Sequence, residues 1–223
     1  VPEFYTTDMA TEVRLRRATE ADAQAASAQV ALEIRAATKD DSVWRAFAQT
    51  APVIAAAVMK PSIEKSLGMV VEDQASTMRD AFKGWFDQSA IVSAYEERYL
   101  RGPMTSIGFL PVWARLNTFK DMTFSDHMTS QQIVETVCAT NNGGCYFKND
   151  PNVLNTSRMC SIQPETYRTA EHFFKMRRDL TGRAEDRSFR GLPTRGDNGG
   201  GVRSARTDAG KSVLQAWLSN RQR

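Results

Sequence analysis

A chain of 223 residues and 24.9 kDa is long enough to bury a core without disulfides or structural metals. Its longest apolar run, Ala51 to Met59, contains Pro52 and is far too short to cross a bilayer, which excludes a helical membrane span. The net charge of +3 conceals an asymmetry: residues 1–150 carry 15 Lys+Arg against 19 Asp+Glu, and residues 151–223 carry 14 against 7.

In chain order, the segment Ala21 to Ala37 is dense in alanine and reads as helix, with Thr19 and Asp22 as its cap and acidic first turn. Asp40, Asp41 and Ser42 break it, and Val43, Trp44, Phe47 and Ala48 then fall at helical spacing up to Pro52, which kinks that helix or begins another. From Ser62 to Arg101 the pattern predicts helix in two or three pieces, with Met78, Phe82, Trp85 and Phe86 as core, ended by Gly102-Pro103. A short segment around Val112 to Phe119 follows an irregular connection at Gly108 to Pro111.

Thr129 and Gln132 fit a capping box ahead of Ile133, Val134, Val137 and Cys138, and Asn141-Asn142-Gly143-Gly144 is a stop. Cys145 to Ile162 reads as loop. Pro164 then opens a helix running to about Leu180 and stopping at Gly182. The stretch from Arg183 to Arg206 is rich in Arg and Gly and reads as a flexible linker. The last segment carries Val213, Leu214, Trp217 and Leu218 on one helical face that must dock somewhere. The fold class expected is mainly α, an irregular multi-helix bundle with extended terminal arms: arm 1–18, helical core 19–182, basic linker 183–206 and C-terminal arm 207–223.

Motifs that carry chemistry are sparse. Ala205 to Ser212 satisfies a relaxed phosphate-loop pattern, but no strand precedes it, and Asp208 capping a terminal helix explains it more simply. Cys138, Cys145, Cys160 and His172 match no compact zinc spacing, and three cysteines read as reduced thiols. Neither His127 nor His172 sits beside a Ser or Cys in a recognisable nucleophile pattern, and Glu96-Glu97 reads as a solvated helix face. Asn155-Thr156-Ser157 and Arg195-Gly196-Asp197 are short patterns expected by chance.

The helix from Pro164 is the most informative. At 100° per residue Tyr167, Ala170, Phe173, Phe174, Met176 and Leu180 share one arc with Arg177 in its middle, while Arg168, Glu171, Lys175 and Arg178 gather opposite. An arginine among aromatics must meet an internal carboxylate, reach water or hold a ligand phosphate. Together with Arg183, Arg187 and Arg190, the cations Arg168, Lys175, Arg177 and Arg178 form a candidate track for a nucleic-acid backbone.

The expectation is therefore a self-assembling structural protein, a homo-oligomer that packages single-stranded RNA without sequence preference as a coat protein or nucleoprotein would. It expects no enzymatic activity, cofactor, metal or membrane, with Val213, Leu214, Trp217 and Leu218 as the assembly arm. With no basic-then-apolar leader in Val1-Pro2-Glu3-Phe4, an intracellular or virion setting is expected. The alternatives are an accessory subunit whose Arg-rich tail contacts acidic partners, and an enzyme with a dispersed site.

Overall fold

The computed structural model describes residues 6–66, 74–124, 126–140 and 144–195, and among these it is mainly helical, with isolated β-bridges and no strand. The mainly α multi-helix fold expected from the periodicity is what the chain adopts. The described residues fall into two units, one within Val1–Arg17, Ala90–Thr136 and Asp150–Gly196, the other within Ala18–Ser89 and Val137–Asn149.

Helix α1 spans Met9–Thr38, so Thr19 and Asp22 lie in its interior and the cap is Asp8. Its carboxylate accepts the Thr11 backbone N–H at 2.9 Å and the Thr11 hydroxyl at 3.0 Å. The next two orphan donors find distant partners: Met9 N–H donates to Asp186 Oδ2 at 2.8 Å and Ala10 N–H to Ser188 Oγ at 3.0 Å. Residues 9–18, read as part of an arm, are instead the start of this helix with Met9, Ala10, Val13 and Ala18 buried. Lys39, in the left-handed region at φ 61°, ends it.

In the second unit, Ala18, Ala21, Ala25, Ala28 and Ala31 form a buried stripe along α1. The Asp40 carboxylate accepts the Ser42 N–H at 2.9 Å just ahead of α2, Ser42–Thr50, which buries Trp44 and Ala48. Pro52 does not kink a helix. It opens α3, Pro52–Ser66, in the first turn, where its missing N–H costs nothing. Helix α4, Gln74–Trp85, packs so close to α3 that a Cβ on Gly84 would lie 2.9 Å from the Ala57 Cβ and 3.3 Å from the Ile54 Cα. Phe82 is fully buried and meets Phe147 edge-on at 4.9 Å.

In the first unit, Gly102-Pro103 does not end a helix. Helix α5, Ser89–Glu96, runs through a π-helical turn, Glu97–Arg101, into α6, Gly102–Gly108. Gly102 N–H donates to Glu97 O across the wide turn, and the extra residue relieves the clash a proline ring makes with the preceding turn of a regular helix. A Cβ on Gly102 would meet that same oxygen at 3.0 Å.

Helix α7 spans Val112–Asp121, and α8, Ser130–Val137, begins with the expected box: Thr129 N–H donates to Gln132 Oε1 at 2.8 Å and Gln132 N–H to Thr129 Oγ1 at 3.2 Å. The segment read as loop from Cys145 holds a short helix α9, Ser157–Cys160. Helix α10, Pro164–Thr181, stops at Gly182 with φ 67°. Its buried face, Ala170, Phe173 and Phe174, joins Leu100, Met104, Phe119 and Met122 in one core with Met9 and Val13.

Residues 183–195, read as flexible from their composition, are packed. Phe189 stacks on Phe174 at 5.5 Å and Leu192 is buried, and the segment returns to Ile162, whose N–H donates to Pro193 O at 2.9 Å. Two apolar anchors and one bridge hold a stretch whose average composition resembles a linker. The expected assembly residues Val213, Leu214, Trp217 and Leu218, and the phosphate-loop-like Ala205 to Ser212, lie outside the described residues.

Candidate functional site

Six of the seven cations of the expected RNA track are engaged by the fold itself. Arg177 is buried at 3% exposure and pairs with no carboxylate among the described residues: it donates to Ala184 O and Met122 O, each at 2.7 Å, and lies 4.9 Å from the centre of the Phe124 ring. Burial, and then the nearby Arg183, pull its pKa below the ordinary guanidinium value against the pull of Asp186. Arg183 donates to the Lys120 carbonyl oxygen. Arg178, Arg187 and Arg190 converge on Glu185 at 2.6, 3.7 and 3.4 Å, and Arg168 pairs with Glu165 at 2.9 Å. Lys175 is exposed. Arg177 faces inward while Arg168, Lys175 and Arg178 stand exposed.

An acidic and a basic group that spacing could not join meet at the start of α1. Parallel bridging of Thr7 with Asp126 brings the 126–128 segment alongside Asp8, and His127 Nδ1 lies 2.7 Å from Asp8 Oδ2. Met128 N–H donates to Thr11 Oγ1 at 3.0 Å, so the same hydroxyl that donates to the capping Asp8 carboxylate fixes the backbone next to the imidazole. Burial alone would raise the Asp8 carboxyl, but hydrogen bonds from the Thr11 backbone, His127, the Thr11 hydroxyl and Ser188 outweigh it and hold it below the ordinary value. An ionised Asp8 only accepts, so Nδ1 of His127 carries the proton of this contact. In the neutral ring Nε2 is then the basic atom, on a side chain 65% exposed.

A second charged cluster lies deeper in the same unit. The Arg17 guanidinium, 4% exposed, pairs with Glu96, fully buried, at 2.9 Å and donates to Met159 O and Ser161 O, both at 2.9 Å. Glu96 Oε1 accepts the Gln163 N–H at 2.6 Å. Burial above all lowers the pKa of Arg17, to about 10, while Glu96 opposes that shift. Above the pair, Glu12, Val13, Arg16, Tyr95, Tyr99 and Leu100 line a small depression. Both terminal nitrogens of Arg17 and both oxygens of Glu96 are bonded, so the network holds α1, α5 and the 159–163 segment together rather than presenting a reactive group. Glu96, expected on a solvated face, is therefore a core residue, while its neighbour Glu97 is exposed.

The arrangement can move a proton at His127 Nε2. It offers no free helix N-terminus beside it, because Met9, Ala10 and Thr11 N–H are already bonded. The link from Asp8 to His127 crosses 119 positions and leaves no local signal.

Residues 2–105 match a family described as "Putative metallopeptidase family (DUF6782)", a stretch that ends short of half the chain. No curated protein and no solved structure matches the chain. The family match corrects the functional expectation: a peptidase description stands where an RNA-packaging coat protein and a chain without enzymatic activity were expected. Residues 2–105 contain no His and no Cys, the side chains that dominate zinc sites, and both histidines and all three cysteines follow them. Among the described residues no three of His, Cys, Asp and Glu come together as a ligand set. The described residues therefore do not fit a resident metal of the kind that description implies.

Proposed function

We propose that this chain serves the hydrolysis of peptide bonds, with His127 oriented by Asp8 as its proton-transfer group. The observation that carries the reading is the 2.7 Å contact between the buried Asp8 carboxylate and the exposed imidazole. It is supported by the peptidase-family match over the stretch that contains Asp8.

A carboxylate that holds Nδ1–H fixes the ring and its tautomer and stabilises the imidazolium that forms when Nε2 takes a proton from water. In this reading a water molecule attacks the peptide carbonyl while His127 accepts its proton and then returns it to the departing amine. Asp8 stays ionised throughout, since its hydrogen bonds favour the charged form.

Hydrolysis of quenched fluorescent casein by the purified full chain, assayed with and without added zinc, tests the proposal. His127→Ala is expected to lower the rate by about 100-fold or more, the usual contribution of a positioned general base. Full activity in His127→Ala removes the imidazole from the mechanism, and no cleavage under either condition removes the peptidase reading.

A further inference from the structure

The turn between α6 and α7 sets five apolar residues in a row at the surface: Phe109, Leu110, Pro111, Val112 and Trp113 are all exposed, Phe109 at 86% and Trp113 at 70%. Single exposed apolar side chains are ordinary, whereas an unbroken run with two aromatics marks a contact surface. The turn is well held from behind. Phe109 N–H donates to Thr105 O and Ser106 O, Leu110 N–H to Ile107 O, and Ala114 and Arg115 N–H to Pro111 O. The aromatics therefore project from a fixed knuckle between two helices.

Charge around the knuckle is patterned. No residue from Gly102 to Ala114 is charged, Arg98 and Arg101 precede this stretch, and Arg115 and Lys120 follow it. Exposed Arg183 donates to the Lys120 carbonyl oxygen and adds a cation at the same end of α7. Glu97 and Asp121 are the acidic residues between positions 97 and 121, and Glu97 is tied to Arg101. An uncharged convex tip carrying Phe and Trp, with an excess of cations behind it, matches the chemistry of the bilayer interface. There, aromatic rings settle at headgroup level and Lys and Arg meet lipid phosphates.

We propose that the Phe109–Trp113 knuckle inserts into the headgroup and upper acyl layer of an anionic lipid bilayer, with exposed Lys120 and Arg183 facing the lipid phosphates, while Arg115 turns inward and donates to Met176 Sδ at 3.0 Å. Along α7 Lys120 lies about 12 Å from Val112, at 1.5 Å per residue. A tip sunk by roughly 5–10 Å, the usual depth of an interfacial contact, brings Lys120 to the headgroups. The contact lies on one leaflet, and no described helix is long and apolar enough to cross a membrane. It is independent of the peptidase reading.

Co-sedimentation of the full chain with vesicles tests it, using phosphatidylcholine alone and phosphatidylcholine mixed with an equal part of phosphatidylserine. The chain is expected to pellet with the mixed vesicles, less with phosphatidylcholine alone, and less in high salt. The double substitution Phe109→Ser with Trp113→Ser is expected to weaken partitioning by about tenfold or more, with an unchanged thermal melt because neither ring is buried. A chain that stays in the supernatant with both vesicles overturns the proposal, as does a double variant that pellets like its parent. A parent dimer that the double variant converts to monomer, with vesicles binding neither, assigns the knuckle to a second copy of the chain and overturns it as well.

Discussion

The two units of the molecule solve burial in different ways. The one within Ala18–Ser89 and Val137–Asn149 is held by an alanine stripe and interlocking aromatics, with Trp44, Phe82 and Phe147 among its most buried side chains. The other buries Arg17 with Glu96, Arg177 over Phe124, and Asp8 and Asp186 at the start of α1. Helices can be joined by packing alone, because their backbone groups are satisfied internally. The 122–129, 159–163 and 183–195 segments have carbonyls and N–H groups to satisfy, and buried guanidinium and carboxylate groups supply the missing partners. The polar core of the first unit thus follows from its irregular connections.

Breaking the Arg17–Glu96 pair should have the largest effect. Glu96→Ala leaves a buried guanidinium uncompensated and is expected to cost about 5 kcal/mol in urea unfolding. The matched test in the apolar unit, Phe82→Ala, is expected to cost about 4 kcal/mol through cavity formation alone. A near-zero result for Glu96→Ala would erase the contrast between the units. Arg177→Met keeps the apolar stem but removes two charge-assisted hydrogen bonds, to the Ala184 and Met122 carbonyls, and should cost about 2–3 kcal/mol by the same measurement.

Smaller effects separate two carboxyls by sign. Asp8 in the first unit has a folded pKa below its ordinary value, so its contribution is complete at neutral pH and is lost as the pH falls through the folded value. Asp8→Asn should therefore flatten the acid limb of a stability–pH curve and cost about 1 kcal/mol at neutral pH through the weakened cap. In the second unit Asp22, which accepts the Tyr146 hydroxyl at 2.7 Å, is shifted upward by burial, against that hydrogen bond. Its contribution is complete below the unfolded pKa and is lost as the pH rises through the folded value. Asp22→Asn should then leave acid stability unchanged and raise neutral stability by a few tenths of a kcal/mol, about the limit of denaturant titration.

Local rules were enough for the elements whose signals lie within a turn or two. The α8 capping box, the Pro164 start, the Gly182 stop and the apolar arc of α10 all read directly from spacing, because each involves side chains three or four residues apart. The same rules missed the true start of α1, whose first donors are bonded 177 and 178 positions away, and missed that Phe189 and Leu192 pin a segment of linker-like composition. They also misplaced Glu96, since helical spacing gives a face but not what packs against it.

Periodicity and capping chemistry by themselves determined that this chain is mainly helical and where several helices begin and end. They also posed the question of Arg177. Tertiary structure alone decided that Arg177 binds carbonyls, that Glu185 gathers three arginines, and that Asp8 and His127 touch. The reason is physical: a charge's meaning depends on its partner and its distance from water, and both are set by residues far away in sequence.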